Sequence, residues 1–163
     1  MNTSQRDSEW IKEMRRTAPN KMETIDQIVD YISLGKYPQL GQPGEYMSYS
    51  NEGYALLCYV VDQAAGMPLE RFLKERVFEP LGMKRSVLDL DGQEAIRLSG
   101  GNITSLFERE EGKLYADDAW SILPPFRGCA QVKSTARDMA VYYRCLANGG
   151  RHEGEQVIDP RAV

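Results

Sequence analysis

The strongest constraint on the fold is one apolar segment in the first half of the chain. It reads Gly53-Tyr54-Ala55-Leu56-Leu57-Cys58-Tyr59-Val60-Val61 and carries no charge. Ser50 or Asn51 can cap its start and Gly66 can close it, which predicts a helix over about residues 52–65. Because a helix that is apolar on every side is buried all round, we expect this helix to be the axis of the domain.

Size and composition are those of a globular chain without nucleic-acid or membrane features. With 163 residues, a single domain covering 1–163 is the natural expectation. Apolar residues make up 42%, yet no apolar run reaches the roughly 18 residues of a membrane span. A net charge of −4 without a cluster of Lys and Arg argues against nucleic acid as a partner. The start, Met1-Asn2-Thr3-Ser4-Gln5-Arg6-Asp7, lacks the apolar stretch of a secretory signal, and the compartment stays open.

Local signals predict a mainly helical chain with small strands. Thr24 and Gln27 form a capping box before a helix that Gly35 ends. A helix from Leu69 to Phe78 offers ion pairs between Glu70 and Lys74 and between Arg71 and Glu75. The last helix, capped by Ser134 or Thr135, is expected to carry Ala136, Met139, Ala140, Tyr143 and Ala147 on one face. Other expected elements are a helical turn around Trp10 in the polar segment 1–22, a hairpin turning at Glu110-Glu111-Gly112 and a hairpin within 150–158.

The cysteines and the single histidine form no pattern typical of a metal or disulfide site. Cys58, Cys129 and Cys145 are an odd number without Cys-x-x-Cys spacing, which favours neither a disulfide framework nor a zinc site. Cys58 lies in the apolar helix and is expected to act as a small core residue. His152 falls in Gly149-Gly150-Arg151-His152-Glu153-Gly154, which predicts a solvated turn and disfavours a Cys/His protease.

A short motif stands where the chain enters the apolar helix. Tyr49 precedes Asn51 by two residues, and three more blocks follow in order: Val77-Phe78-Glu79-Pro80-Leu81-Gly82-Met83, Lys133-Ser134-Thr135-Ala136-Arg137-Asp138-Met139 and Leu146-Ala147-Asn148-Gly149-Gly150. Tyr-x-Asn alone arises often by chance, whereas the ordered combination is specific. It resembles the serine β-lactamase and penicillin-binding protein superfamily, in the Tyr-x-Asn form of class C-like β-lactamases, D-Ala-D-Ala carboxypeptidases and esterases. The resemblance covers about residues 43–163.

This resemblance implies a fold and an activity. The chain would be the helical subdomain of the α+β β-lactamase/DD-peptidase fold, with one or two small hairpins. The parent would be a serine hydrolase without metal or cofactor, acting on a β-lactam, a D-amino-acid peptide or an ester. In such enzymes a serine oxygen attacks the carbonyl and water clears the acyl-enzyme.

The same resemblance assigns roles to the two motif residues. Tyr49 would be the base or proton relay for the serine, and Asn51 would bind the substrate amide through its donor and its acceptor. A phenol with an ordinary pKa of about 10 needs nearby positive charge for this role, which two lysines supply in the family. The bland alternative makes Tyr49 a buried tyrosine with a satisfied hydroxyl and Asn51 a helix cap.

The flanking family motifs have no convincing counterpart. Ser33-Leu34-Gly35-Lys36 spells Ser-x-x-Lys, but it ends a predicted helix, whereas the nucleophile motif begins one. Lys133-Ser134-Thr135 lacks the glycine of the family's Lys-Ser-Gly form and leads into a helix start. We therefore expect a fragment of a hydrolase that is inactive alone. The alternative is a non-catalytic module that binds a peptide or a cell-wall fragment.

The helical portion of this family packs against a sheet built from both chain ends. A chain without those ends should expose an apolar face larger than monomers usually tolerate. We therefore expect either a homo-oligomer through this sheet-packing face or a rearranged terminus that covers it.

Overall fold

The computed structural model describes residue 16 and residues 24–35, 41–117 and 126–163. Within these residues the helices are α1 (Ile25–Ser33), α2 (Asn51–Ala65), α3 (Leu69–Leu73), α4 (Gln93–Ser99), α5 (Arg127–Ala130) and α6 (Ala136–Ala147), with a π-helical turn at Lys74–Phe78 and a 3₁₀ turn at Pro160–Ala162. The strands are β1 (Val87–Leu88), β2 (Leu106–Glu110), β3 (Lys113–Asp117), β4 (Val132–Lys133), β5 (Arg151–His152) and β6 (Glu155–Gln156). About half of the described chain is therefore helical and its strands are small, which confirms the prediction in part. The predicted turn around Trp10 lies outside the described residues.

Each of the three small sheets in the described part is an antiparallel pair: β1 with β4, β2 with β3, and β5 with β6. The last two are the predicted hairpins. Their turns place Glu111 and Gly112, and Glu153 and Gly154, at positive φ, as two-residue hairpin turns require. His152 is in strand β5 with a side chain only 12% exposed, so the prediction of a solvated turn for this residue was wrong.

The predicted helix ends are confirmed where a side chain caps them. Thr24 accepts a hydrogen bond from the Gln27 amide while Gln27 accepts one from the Thr24 amide, which completes the capping box of α1. Ser50 caps α2 by accepting from the Gly53 amide at 2.9 Å. Gly66 ends α2 in the left-handed conformation at φ 63°.

The burial of α2 differs from the prediction. Ala55 and Cys58 are buried, but Tyr54, Leu57 and Val60 are 55%, 59% and 58% exposed. The expectation that α2 is covered on every side was therefore wrong. Uniform apolarity shows that a helix can be buried on any face, but neighbouring elements decide which face is buried.

The helix that follows changes its hydrogen-bond pattern midway. After α3, the π-helical turn makes the Glu79 amide donate to the Lys74 carbonyl five residues back. Arg71 pairs with Glu75 at 2.7 Å, as predicted, but Lys74 lies 4.0 Å from Glu79 and Glu70 pairs with Arg127. The predicted Glu70–Lys74 pair was wrong because the wider turn and a distant arginine give both residues other partners.

A compact core lies beside α6. Phe78, Leu81, Met83 and Cys145 form a buried cluster, lined by Val141, Tyr142, Val157 and other partly buried side chains. The predicted apolar face of α6 is not the buried one, because Tyr143 is 62% exposed and Ala136, Ala140 and Ala147 are also exposed.

A polar network fixes the start of α6 against the segment before β1. The buried Asp138 carboxylate accepts hydrogen bonds from the Arg85 amide at 2.8 Å and the Ser86 hydroxyl at 2.9 Å. Ser86 and Ser134 share a further hydrogen bond at 2.7 Å. Because a buried carboxylate is costly without such partners, this network selects the face of α6 that turns inward.

Candidate active site

The two motif residues stand at the entrance to α2. Tyr49 precedes the capping residue Ser50, and Asn51 is the first residue of the helix. Ser50 is extended, with φ −146° and ψ 115°. Because alternate residues of an extended chain leave it on the same side, this backbone favours Tyr49 and Asn51 side by side.

Both bland alternatives for these residues are contradicted. Tyr49 is 81% exposed, so it is not a buried tyrosine. The cap of α2 is Ser50, whose hydroxyl accepts from Gly53 and lies 3.1 Å from Glu52 Oε2, so Asn51 is not the cap. The side chains of Tyr49 and Asn51 therefore stand at the surface at a helix N-terminus, where backbone amides favour ligand acceptors.

The short helix α5 lies along α2 and reaches this motif. Arg127 forms an ion pair with Asp62, Gly128 contacts Cys58, and the Cys129 thiol lies 3.2 Å from the Asn51 carbonyl oxygen. Asn51, Cys58 and Asp62 share one face of α2, since they are spaced seven and four residues apart. The helix α5 therefore runs antiparallel to α2, and its Cys129 lies next to the candidate site.

Small side chains allow this close approach. A Cβ atom on Gly128 would lie 2.0 Å from Cys58 Sγ, so only glycine fits at this position. The two buried residues of α2 are likewise small: Ala55, with 0% exposure, and Cys58, with 4% exposure. The contact therefore depends on short distances between backbones rather than on large interlocking side chains.

Burial sets the protonation of the thiols in this region. Desolvation raises the pKa of Cys58, an effect that nearby Arg127 partly offsets. Desolvation likewise raises the pKa of Cys129. Both groups are therefore thiols, not thiolates, at neutral pH.

The two formal matches to the missing motifs are not in the geometry that the chemistry needs. Ser33 is the last residue of α1 and its hydroxyl donates to the Asp30 carbonyl, while Lys36 lies outside the described residues. Lys133 is in β4 with its ammonium held by Gln131 and the Asp89 carbonyl, and Thr135 caps α6. Burial lowers the pKa of Lys133.

The sequence predicted roles for Tyr49 and Asn51 but none for the α5 residues beside them. Arg127, Gly128 and Cys129 follow Pro124-Pro125-Phe126 without a helical period or a clear cap, so no local pattern marks them. The run of small residues at 128–130 was the one available signal.

The described ranges contain no group of three or more His, Cys, Asp or Glu side chains suited to an ion. No helix within those ranges is long and apolar enough for a bilayer.

Comparison with known proteins gives one family. A family model described as "Beta-lactamase" matches residues 5–162. The chain is 27% identical over 144 residues to a protein of Salmonella schwarzengrund named "Putative D-alanyl-D-alanine carboxypeptidase", a match that covers 80% of this chain and 33% of that protein. This chain thus spans about a third of the length of the curated relatives it matches.

Solved structures share the fold. An octameric penicillin-binding protein homologue from Pyrococcus abyssi superposes with a TM-score of 0.67 and 22% identity, over 93% of this chain and 32% of that one. A beta-lactamase/D-alanine carboxypeptidase from Pseudomonas syringae gives a TM-score of 0.60 and 19% identity, over 84% and 35%. A D-amino acid amidase from Ochrobactrum anthropi SV3 gives 0.57 and 24%, over 87% and 39%.

Proposed function

The chain belongs to the beta-lactamase family, and from this premise we propose that it carries part of the active site of a serine hydrolase. In this proposal residues 1–163 are the helical subdomain of a larger enzyme that cleaves amide or ester bonds through an acyl-enzyme. Tyr49 is the base or proton relay, and Asn51 binds the amide of the substrate. The substrate is a β-lactam, a D-amino-acid peptide or an ester.

One observation carries this proposal: Tyr49 is 81% exposed immediately before the cap of α2, and Asn51 opens that helix. The exposed Tyr49 side chain can be reached by a ligand or by the rest of a larger enzyme. The Gly53 amide is capped by Ser50, so capping does not occupy the Asn51 side chain. The relatives named as carboxypeptidase and amidase support an acyl-transfer role.

The chain by itself is proposed to lack turnover, because the described residues place no serine and lysine on successive turns at a helix start. The test incubates the protein with a fluorescent penicillin, a chromogenic cephalosporin and a short-chain nitrophenyl ester, beside a heat-denatured control. Intact-protein mass spectrometry is expected to show no adduct. A covalent adduct on any serine would overturn the proposed inactivity and identify the nucleophile.

The alternative function is a non-catalytic module that holds a peptide or a cell-wall fragment at the same residues. The accessible pair Tyr49 and Asn51 is the observation that favours it. Titration with D-Ala-D-Ala and muropeptides, followed by backbone amide NMR, should shift residues 49–53 first. Shifts spread over the surface, or none at millimolar ligand, would count against both readings of this site.

We also propose that the protein self-associates through the uncovered face of α2. Tyr54, Leu57 and Val60 form an apolar stripe along this helix, each more than half exposed. The Pyrococcus abyssi homologue is described as octameric, which supports assembly as a property of related proteins. Sedimentation is expected to show a concentration-dependent oligomer.

The matched variants for this test are Leu57→Gln on the stripe and Tyr143→Gln on α6, where Tyr143 is a similarly exposed 62%. Only the stripe variant should lower the association. A clean monomer at high concentration would refute the self-association proposal without touching the proposed chemistry.

A further inference from the structure

An ion-pair cluster connects α5 to α2 near the C-terminal end of α2. The Arg127 side chain is only 11% exposed, pairs with Asp62 on α2 and lies 3.0 Å from Glu70 Oε1 on α3. The other Asp62 oxygen accepts the Leu69 amide at 2.7 Å, at the start of α3. Because breaking a partly buried ion pair leaves a charge without its partner, this cluster resists sliding of α5 along α2.

The middle of the contact fixes the separation of the two helices. Gly128 already contacts Cys58, and neither Ala55 nor Cys58 has a long side chain that could rearrange. Interiors packed at this density transmit small displacements instead of absorbing them. The position of Cys129 is therefore set by Arg127 and Gly128.

At the N-terminal end of α2, Cys129 contacts Asn51, the first residue of the helix. By helix geometry the Asn51 carbonyl already accepts the Ala55 amide, and its second lone pair accepts the Cys129 thiol at 3.2 Å. An ordinary thiol is protonated at neutral pH, and desolvation raises the pKa of Cys129 further, so this thiol can donate throughout the neutral range.

We propose that Cys129 is a positioning residue for the candidate active site, which holds the first turn of α2 through the Asn51 carbonyl. Arg127 and Gly128 hold Cys129 in place, so the ion-pair cluster at one end of α2 acts on the motif at the other end. The inference rests on the proposed function, because the position of Asn51 matters only if Asn51 binds the substrate.

The test compares Cys129→Ala, which removes the donor, with Cys129→Ser, which retains one. Backbone NMR and amide hydrogen exchange are measured on the free protein. In Cys129→Ala the Asn51 resonances should shift and the Ala55 amide should exchange about fivefold faster, the factor for one hydrogen bond of typical net strength. Cys129→Ser should restore most of the exchange protection.

A control variant separates positioning from general loosening. Cys145→Ala also removes a thiol, but a buried one from the core cluster on α6. It should lower overall stability while leaving the Asn51 and Ala55 signals unchanged. If Cys129→Ala leaves these signals unchanged, or if Cys145→Ala moves them equally, the positioning role is refuted.

A ligand titration distinguishes failure of the positioning role of Cys129 from failure of the proposed function. D-Ala-D-Ala is titrated into the unmodified protein and the two Cys129 variants. Weaker binding in Cys129→Ala with recovery in Cys129→Ser supports both proposals. If the free-protein signals respond as expected but D-Ala-D-Ala shifts no residue of 49–53, Cys129 still holds the helix start, and the binding of D-amino-acid peptides at that start is refuted.

Discussion

The core beside α6 and the contact between α2 and α5 hold helices in opposite ways. Around α6, large side chains from one motif block, Phe78, Leu81 and Met83, enclose Cys145. Between α2 and α5, a glycine lies against a cysteine at a distance that excludes even a methyl group. The core beside α6 depends on the volume of its side chains, whereas the α2–α5 contact depends on the absence of a side chain at Gly128. This difference predicts that the two regions respond in opposite directions to a change in side-chain size.

The largest effect is expected from removing volume in the core. Leu81 is 2% exposed, so Leu81→Ala loses its transfer free energy and leaves a cavity. We expect the free energy of unfolding to fall by about 2–5 kcal/mol, measured by urea denaturation. Leu57→Ala on the 59% exposed stripe is the control and, at protein concentrations below self-association, should cost well under half as much.

The Leu57→Ala control can also contradict the difference expected between the buried core and the exposed stripe. If Leu57→Ala costs as much as Leu81→Ala, the stripe on α2 is covered in solution. A cost that rises with protein concentration would assign the cover to a second copy, because only association is concentration-dependent.

The next effect comes from adding volume between α2 and α5. Gly128→Ala places a Cβ atom against Cys58 Sγ, and the helices must separate. We expect a loss of about 1–3 kcal/mol in the free energy of unfolding, partly recovered in the double variant with Cys58→Ala. Gly53→Ala is the matched control, because its Cβ would meet Ser50 Oγ at an ordinary 3.5 Å.

The two alanine substitutions should change the free energy of unfolding in opposite directions. Inside α2, alanine at position 53 should raise stability by up to about 1 kcal/mol, since alanine is the better helix former. If both alanine variants destabilise the protein equally, the close approach of α5 is not the cause. The small-residue contact would then have no special role.

The sequence predicted those parts of the fold that depend on local signals. The capping box at Thr24, the glycine end at Gly66 and the turn at Glu153 each involve residues within a few positions of one another, and each is present. The motif at Tyr49 and Asn51 was visible for the same reason.

The parts that the sequence missed depend on distant partners. Which face of α2 is buried follows from Arg127 and Asp62, 65 residues apart, and which face of α6 is buried follows from Asp138 and Ser86, 52 residues apart. Both helices carry apolar residues on more than one face, so periodicity could not choose between the faces. Cys129 was missed because its relevance depends on a docked helix with no local signature.

The smallest effect is expected from a change in pH. It tests whether Cys58 is buried in the α2–α5 contact. Burial raises the pKa of Cys58 above the ordinary thiol value of about 8.5, so the unfolded chain loses this proton at lower pH than the folded protein. Stability from this group is complete below the ordinary pKa and is lost as pH rises toward the folded one, because the unfolded state then binds fewer protons. Melting temperatures measured from neutral to alkaline pH should fall less steeply in Cys58→Ala than in the unmodified protein. Parallel curves would mean that Cys58 is solvated in solution, and the close contact with Gly128 would lose its support.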